Sequence, residues 1–331
     1  MIGHRVSLAS SEGISLPSME GKFRWVLLTA VAPVAWGANY YVIHHFLPGT
    51  DPFWGAVLRA LPAGLLLLLL ARRLPHGVWW WRSAVLGVLN VGAFFLLIHL
   101  AAQLLPTSVA AVVMAAAPVV MMLLAWALVA ERPGAVQLAS AGLGIVGVAV
   151  MLLGASGALS AAGIAASVAA MVMSSLGFVL AKRWAAGGGV DVLSGTAWQL
   201  VAGGLLVVPF ALLFGGPPPA LTVDTAIGFG YVTVIATALA FVCWFTGLRR
   251  LAAGQVGLVG LLNPVTGVLL GTALAGESLT VRQLVGMGLV LAGVVLGQRV
   301  AAPRAPEGSR PVAPVAPVVS GPRAEPTVVT R

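Results

Sequence analysis

Residues 118–148 read PVVMMLLAWALVAERPGAVQLASAGLGIVGV, and residues 264–294 read PVTGVLLGTALAGESLTVRQLVGMGLVLAGV. A shift of 146 positions lays Pro118 on Pro264, Leu123 and Leu124 on Leu269 and Leu270, Glu131 on Glu277, Gln137 on Gln283, Gly142 on Gly288 and Gly147 on Gly293, and about 13 of the 31 positions are identical. Apolar composition alone produces chance matches of Leu, Val and Gly. It does not align Pro, Glu and Gln at one offset. Upstream, shifts of about 138 to 140 lay WGANYYVIHHF from Trp36 on SSLGFVLAKRW from Ser174, and Arg59 on Gln199. The chain is therefore two tandem copies of one unit.

Each copy is almost wholly apolar. Of 331 residues, 60% are hydrophobic and 8% charged, with a mean hydropathy of +1.03. A water-soluble domain carries roughly a quarter charged residues, so the solvent here is lipid. A spanning helix takes about 20 apolar residues. Apolar runs between charged or Pro/Gly breaks fall at 24–46, 53–71, 79–101, 107–129, 134–154, 160–182, 192–214, 225–247, 255–275 and 280–299. Pro106 and Thr107 alone mark the break before the fourth. Five spans per copy is an odd number, so the second copy enters the membrane in the opposite sense. The sequence thus predicts an all-α integral membrane fold of ten transmembrane helices in a 5+5 inverted-topology repeat. The units cover 24–155 and 160–300, after a cytoplasmic tail at 1–23 that lacks the apolar core of a cleavable signal. A Pro-rich, disordered cytoplasmic tail follows at 301–331.

Charge placement agrees. Lys22 and Arg24, then Arg72, Arg73 and Arg82, Arg132, Lys182 and Arg183, Arg249 and Arg250, and Arg299 fall at alternate connections; the others carry Asp51, Asp224 and Glu277 with Arg282. By the positive-inside rule both termini are cytoplasmic in a multi-pass cell-membrane protein. The net charge of +9 reflects this topology and not a nucleic-acid-binding face. Cys243 is the only cysteine, which excludes an intramolecular disulfide and a cysteine-only metal cluster. No metal site and no cofactor are expected.

The residues that carry the repeat also carry a resemblance. Trp-Gly-x-Asn at Trp36 to Asn39, Leu58 with Arg59, the prolines of APVV and NPVT, and the Glu that closes the fourth and ninth spans resemble the EamA repeat of the drug/metabolite transporter superfamily. The likeness covers nearly all of 24–299, although Ser174 and Ser175 stand where Trp36 and Gly37 stand in the first copy. It implies a bundle in the bacterial inner membrane that exports metabolites, amino acids or toxic compounds.

Arg59 lies about seven residues into the second span, roughly 10 Å from its end. A charge there costs several kcal/mol unless paired or wet; it reads either as an anion-facing group in a central cavity or as a snorkelling structural cation. Trp36, Asn39, Tyr40, Asn90, His99, Gln103, Trp198, Gln199, Trp244 and Asn263 are polar or amphipathic side chains at depth, expected to face the bundle interior as packing or as cavity lining. Trp36, Trp198 and Trp244 form a candidate aromatic pocket; Trp79, Trp80 and Trp81 beside Arg82 read as an interfacial belt. Glu131 and Glu277 are expected to meet the positive end of the following helix, with a neighbouring Arg as partner, in a structural or coupling role. Pro33, Pro62, Pro118, Pro209 and Pro264 fall inside spans, and the recurring pair Pro118 and Pro264 are hinge candidates. Gly267 with Gly271, and Gly293 with Gly297, permit close intramolecular helix contact.

Inverted repeats suit secondary transport, with a small-molecule substrate held between the halves. No GxxxxGK[ST] loop exists for ATP hydrolysis. An intramembrane enzyme would need clustered carboxylates or a nucleophile with its base at depth, and a channel would need a charged ring; the spans offer neither. An intramembrane enzyme or a non-transporting membrane scaffold is the alternative. The lipid bilayer is the obligatory partner, protons are a candidate coupling ion without a carboxylate at mid-depth, and the protein is expected to be a monomer or homodimer.

Overall fold

The computed structural model describes residues 19–104, 113–152, 160–275 and 280–299. The side chains of Tyr40, His99 and Gln103, together with Glu277, the break at Pro106 and Thr107 and both tails, lie outside the described residues. Among these residues the chain forms ten rods and no strand. They are α1 (Met19–Phe46), α2 (Pro52–Ala71), α3 (79–104), α4 (Ala117–Val129), α5 (Ala135–Leu152), α6 (Ala161–Ala185), α7 (Val192–Phe214), α8 (Val223–Arg250), α9 (253–275) and α10 (Val281–Arg299). Eight are long and apolar enough to cross a membrane, and α4 and α5 are shorter apolar helices. Their outward faces carry large bare hydrophobics such as Leu69 and Leu213, 73% and 74% exposed, which only lipid tolerates in such number.

Helix starts follow from local chemistry. Asp51 accepts from the Phe53 and Trp54 N–H groups ahead of Pro52, Asp191 accepts from Ser194, and Thr222 and Thr225 close a reciprocal capping box. Each satisfies donors left orphaned by the first turn, worth about 1 kcal/mol. The aligned glutamines do the same. Gln137 Oε1 accepts from Gly134 N at 3.0 Å and Gln283 Oε1 from Thr280 N at 2.8 Å, so α5 and α10 start by one device at positions 146 apart.

Packing is two-fold. α2 lies along α7, α5 along α10, and α4 crosses α9; α1 packs on α8 and α9 while α6 packs on α3 and α4. Each contact is its own counterpart, or the counterpart of another, when the halves are exchanged. Glycines fix the closest approaches. A Cβ on Gly64 would meet Val201 N at 2.7 Å, and one on Gly204 would meet the Leu61 side chain at 2.7 Å; the offset of 140 interchanges these residues. Between α5 and α10, a Cβ on Gly147 would lie 2.8 Å from Gly286 O, and one on Gly293 would lie 2.7 Å from Ser140 O. The inverted 5+5 repeat is thus built into the backbone approach itself.

Two features depart from regular helix. A turn at 115–116 immediately precedes α4 and the ninth rod is interrupted at 261, just ahead of Pro118 and Pro264. A proline lacks the N–H and its ring crowds the carbonyl four residues back, so the paired prolines break the helix and do not merely bend it. Both third helices also loosen into a π segment, Val88–Gly92 in α3 and Tyr231–Leu239 in α8. Such segments are rare and concentrate at functional positions.

Candidate functional site

The π segment of α8 sits at the middle of that helix and is held by α1 and α2. Trp36 Nε1 donates to Ala236 O at 2.9 Å, Arg59 Nε donates to Thr237 Oγ1 at 3.1 Å, Thr233 Oγ1 donates to Leu58 O at 3.1 Å, and Tyr231 Oη donates to Ala35 O at 3.1 Å. A π turn leaves carbonyls without their usual partner four residues on, and Trp36 satisfies one of them. Arg59 Cζ lies over the Phe95 ring of α3, 4.6 Å from its centroid, a cation–π contact worth about 1 kcal/mol or more when desolvated. Thr237 is fully buried. Arg59 therefore reaches the centre of the bundle, deeper than its place on α2 alone suggests.

Several predicted site residues converge here. Trp36 packs on Trp244 at 5.2 Å and Phe241 at 5.5 Å between ring centroids. Asn39 lies one turn further along α1, and the Asn263 carbonyl of α9 faces Gly37. Asn39 Oδ1 and Trp244 Nε1 are buried atoms with no hydrogen-bond partner among the described residues, so polar groups remain available beside Trp36. Sequence reasoning missed Thr233, Thr237, Tyr231 and Phe95. Two threonines four apart in the apolar run YVTVIATAL were the available signal, because that spacing puts both on one helix face.

Others do not belong to this cluster. Asn90 Nδ2 donates to Gln199 Oε1 at 2.9 Å; both side chains are buried, and Gly177 presses on the amide of Asn90. That pair ties α3 to α7. Trp198 is not in the aromatic pocket with Trp36 and Trp244. It donates to Arg73 O at 2.7 Å and packs on Trp79 and His76, because it lies only two turns from the start of α7. Trp79 correspondingly leaves the interfacial belt: it is 7% exposed, whereas Trp80 and Trp81 are 61% and 52% exposed. Three consecutive helical residues cannot share one face.

The end of the bundle that gathers the basic residues is densely tied. Lys182 Nζ lies 2.5 Å from Glu131 Oε1 and donates to Leu251 O at 2.6 Å, while Glu131 Oε2 accepts from Ala253 N at 2.8 Å. Glu131 thus caps α9 across the interface and pairs with Lys182, not with α5 and Arg132 as expected. Ala130, in the left-handed region at φ 56°, turns the chain so that the carboxylate leaves its own half, and Gln137 already serves α5. Arg249 donates to Val190 O at 2.7 Å and Arg73 lies 3.8 Å from Asp191, so the second-to-third connection and the end of α8 lie at one end. Burial opposes ionisation of Asp191, but two hydrogen bonds from Ser194, one from its own N–H and the Arg73 charge outweigh it and hold the carboxyl below its ordinary range. Two small clefts open here, one between α3, α6, α7 and α8 and one around Glu131. Neither is lined by Trp36 or Arg59.

The EamA-like transporter family pattern matches this chain twice, over residues 23–153 and 161–297. The chain belongs to the EamA-like transporter family. Its EamA relatives include Protein PecM of Dickeya dadantii, 34% identical over 81% of this chain and 90% of that protein. The probable amino-acid metabolite efflux pump of Salmonella typhimurium is 28% identical over 81% and 93%, and the inner membrane transporter YedA of Escherichia coli K12 is 25% identical over 80% and 87%. A crystal structure at 21% identity superposes with a TM-score of 0.73, over 83% of this chain and 96% of that one, and shares the EamA fold. The protein is a multi-pass membrane transporter.

Proposed function

We propose that the protein exports small organic solutes by alternating access, with its chamber at the interface of the two halves around the α8 π segment. The observation that carries this reading is the exchangeable packing: α1 meets α8 and α9 as α6 meets α3 and α4. Two states of equal contact quality are then available, one open to each side. Trp36, Asn39, Arg59, Trp244 and Asn263, with Thr233 and Thr237, line the chamber, and Pro118 and Pro264 are its paired hinges.

The basic end faces the cytoplasm by the positive-inside rule, with both termini on that side. The junction of Glu131, Lys182 and Ala253 is the closed cytoplasmic gate in this conformer, which makes Glu131 a structural carboxylate and not a coupling one. Export is supported by the efflux pump named among the relatives. The family and the names of its relatives support transport over catalysis.

The test is flux into and out of proteoliposomes with amino acids, nucleobases and cationic dyes, with and without a pH gradient. Saturable flux of at least one solute is expected. No flux of any of them, from protein with an intact thermal transition, would return the scaffold reading. Cysteine accessibility at Arg72 and Arg249 against Asp224 checks orientation; reaction of the first two from opposite sides would sink the topology.

A further inference from the structure

We infer that the solute carries a carboxylate, bound by the terminal Nη edge of Arg59; this rests on the transport reading above. Arg59 is held among α2, α3 and α8 with Nε committed to Thr237 and Cζ over the Phe95 ring. Among the described residues it has no further hydrogen bond and no carboxylate partner. The deficit extends to the whole chain. Its nine acidic residues occupy the tails, the caps and first turns of helices, and the connections; none lies in the interior of a span. Among the described residues no carboxylate pairs with Arg59, and none of the nine falls inside an apolar run of the sequence.

A guanidinium in that setting is costly unless an anion meets it. Engagement of Nε by Thr237 occupies the side-on edge, and the Phe95 ring lies against the guanidinium carbon. The edge that remains is the end-on fork of two Nη groups, whose parallel N–H bonds fit the two oxygens of a carboxylate. Thr237 and Phe95 thus act as positioning residues for that fork. An amide or an ammonium group offers the fork nothing comparable, and Lys in place of Arg would keep the charge but lose the geometry.

The experiment uses proteoliposomes and matched triplets of carboxylate, amide and amine on the same bodies: phenylacetate, phenylacetamide and phenethylamine, with indolyl and isobutyl analogues. Saturable flux confined to carboxylates is expected, falling by a factor on the order of ten or more in Arg59→Gln and less in Arg59→Lys. Should Arg59→Gln fail to fold, the wild-type protein still decides the matter, because carboxylates and not their amides should raise its thermal transition. Equal flux of amide or amine, or carboxylate flux unchanged in Arg59→Gln, overturns the assignment while leaving transport standing. Amide flux that requires chloride and vanishes in Arg59→Gln gives the fork to a coupled inorganic anion and also overturns it. Absence of flux for every triplet and for the wider panel sinks the transport reading instead.

Discussion

Lys182 joins three parts of the chain through one ammonium group: the end of α4 through Glu131, its own helix α6, and the turn into α9 through Leu251. Both ionised side chains are mostly shielded, 17% and 26% exposed. Removing one member leaves the other charge poorly solvated, so Lys182→Met should cost about 1–3 kcal/mol, below the 3–5 of a fully buried pair. Glu131→Gln should cost less, since its amide oxygen still accepts from Ala253 N–H. A double-mutant cycle on thermal unfolding in detergent should show a double variant less destabilised than the two single ones summed; simple additivity would mean that the two groups do not interact. Asp191 makes a separate, pH-dependent contribution. Its folded value lies below the ordinary 3.8, so the stabilisation is complete above that pH and is lost as pH falls through the folded value. Asp191→Ala should lower stability by about 1 kcal/mol at neutral pH through loss of the cap. The gap to wild type should close below pH 3.8; a gap constant down to pH 2 would assign it to something other than the carboxylate.

Among helices, the Glu131 turn depends on a backbone conformation that alanine resists. Ala130 ends α4 at φ 56°, whereas the equivalent position 146 residues later is Gly276. Ala130→Gly should therefore raise stability by about 0.5–1 kcal/mol, the left-handed penalty outweighing the entropy that glycine adds to the unfolded chain. A lowered thermal transition would show that this turn is not limiting. Gly293→Ala should do the opposite, since its Cβ would sit 2.7 Å from Ser140 O against backbone that cannot yield, and separation of α10 from α5 should lower the melting temperature. The span limits were legible at this scale because hydropathy and caps are local. The breaks before Pro118 and Pro264 were legible as hinges but not as interruptions. The π segments were not foreseen, since a one-residue insertion in an apolar helix changes no periodicity that composition reveals. That explains the site's partial legibility: Arg59, Trp36 and Trp244 stood out as deep polar or aromatic groups, whereas Thr237 and Phe95 acquire meaning only once α8 and α3 bring them to Arg59. Trp198 and Gln199 looked equally deep and went elsewhere, because depth in sequence does not say which neighbour a helix face meets.

At the level of the molecule, two-fold packing makes opposite demands on different interfaces. The α5–α10 and α2–α7 contacts are self-paired and held close by glycines, so the proposed exchange of states gives them no reason to open. Under the proposed exchange of states, the junction at Glu131, Lys182 and Ala253 has to part whenever the basic end opens. Transport should therefore respond unequally to restraint. Cysteines at 131 and 182 in a Cys243→Ala background, joined by a short flexible bis-thiol reagent, should hold the basic end shut and abolish flux, with recovery when a reducible linker is cleaved. Cysteines joining α5 to α10 at outward-facing positions should leave flux within about twofold of the unlinked protein, the scatter ordinarily allowed for neutral surface changes. Full flux through the 131–182 link would show that this end never has to open, and the two halves would then have to pass their solute by some route other than exchange of equivalent states.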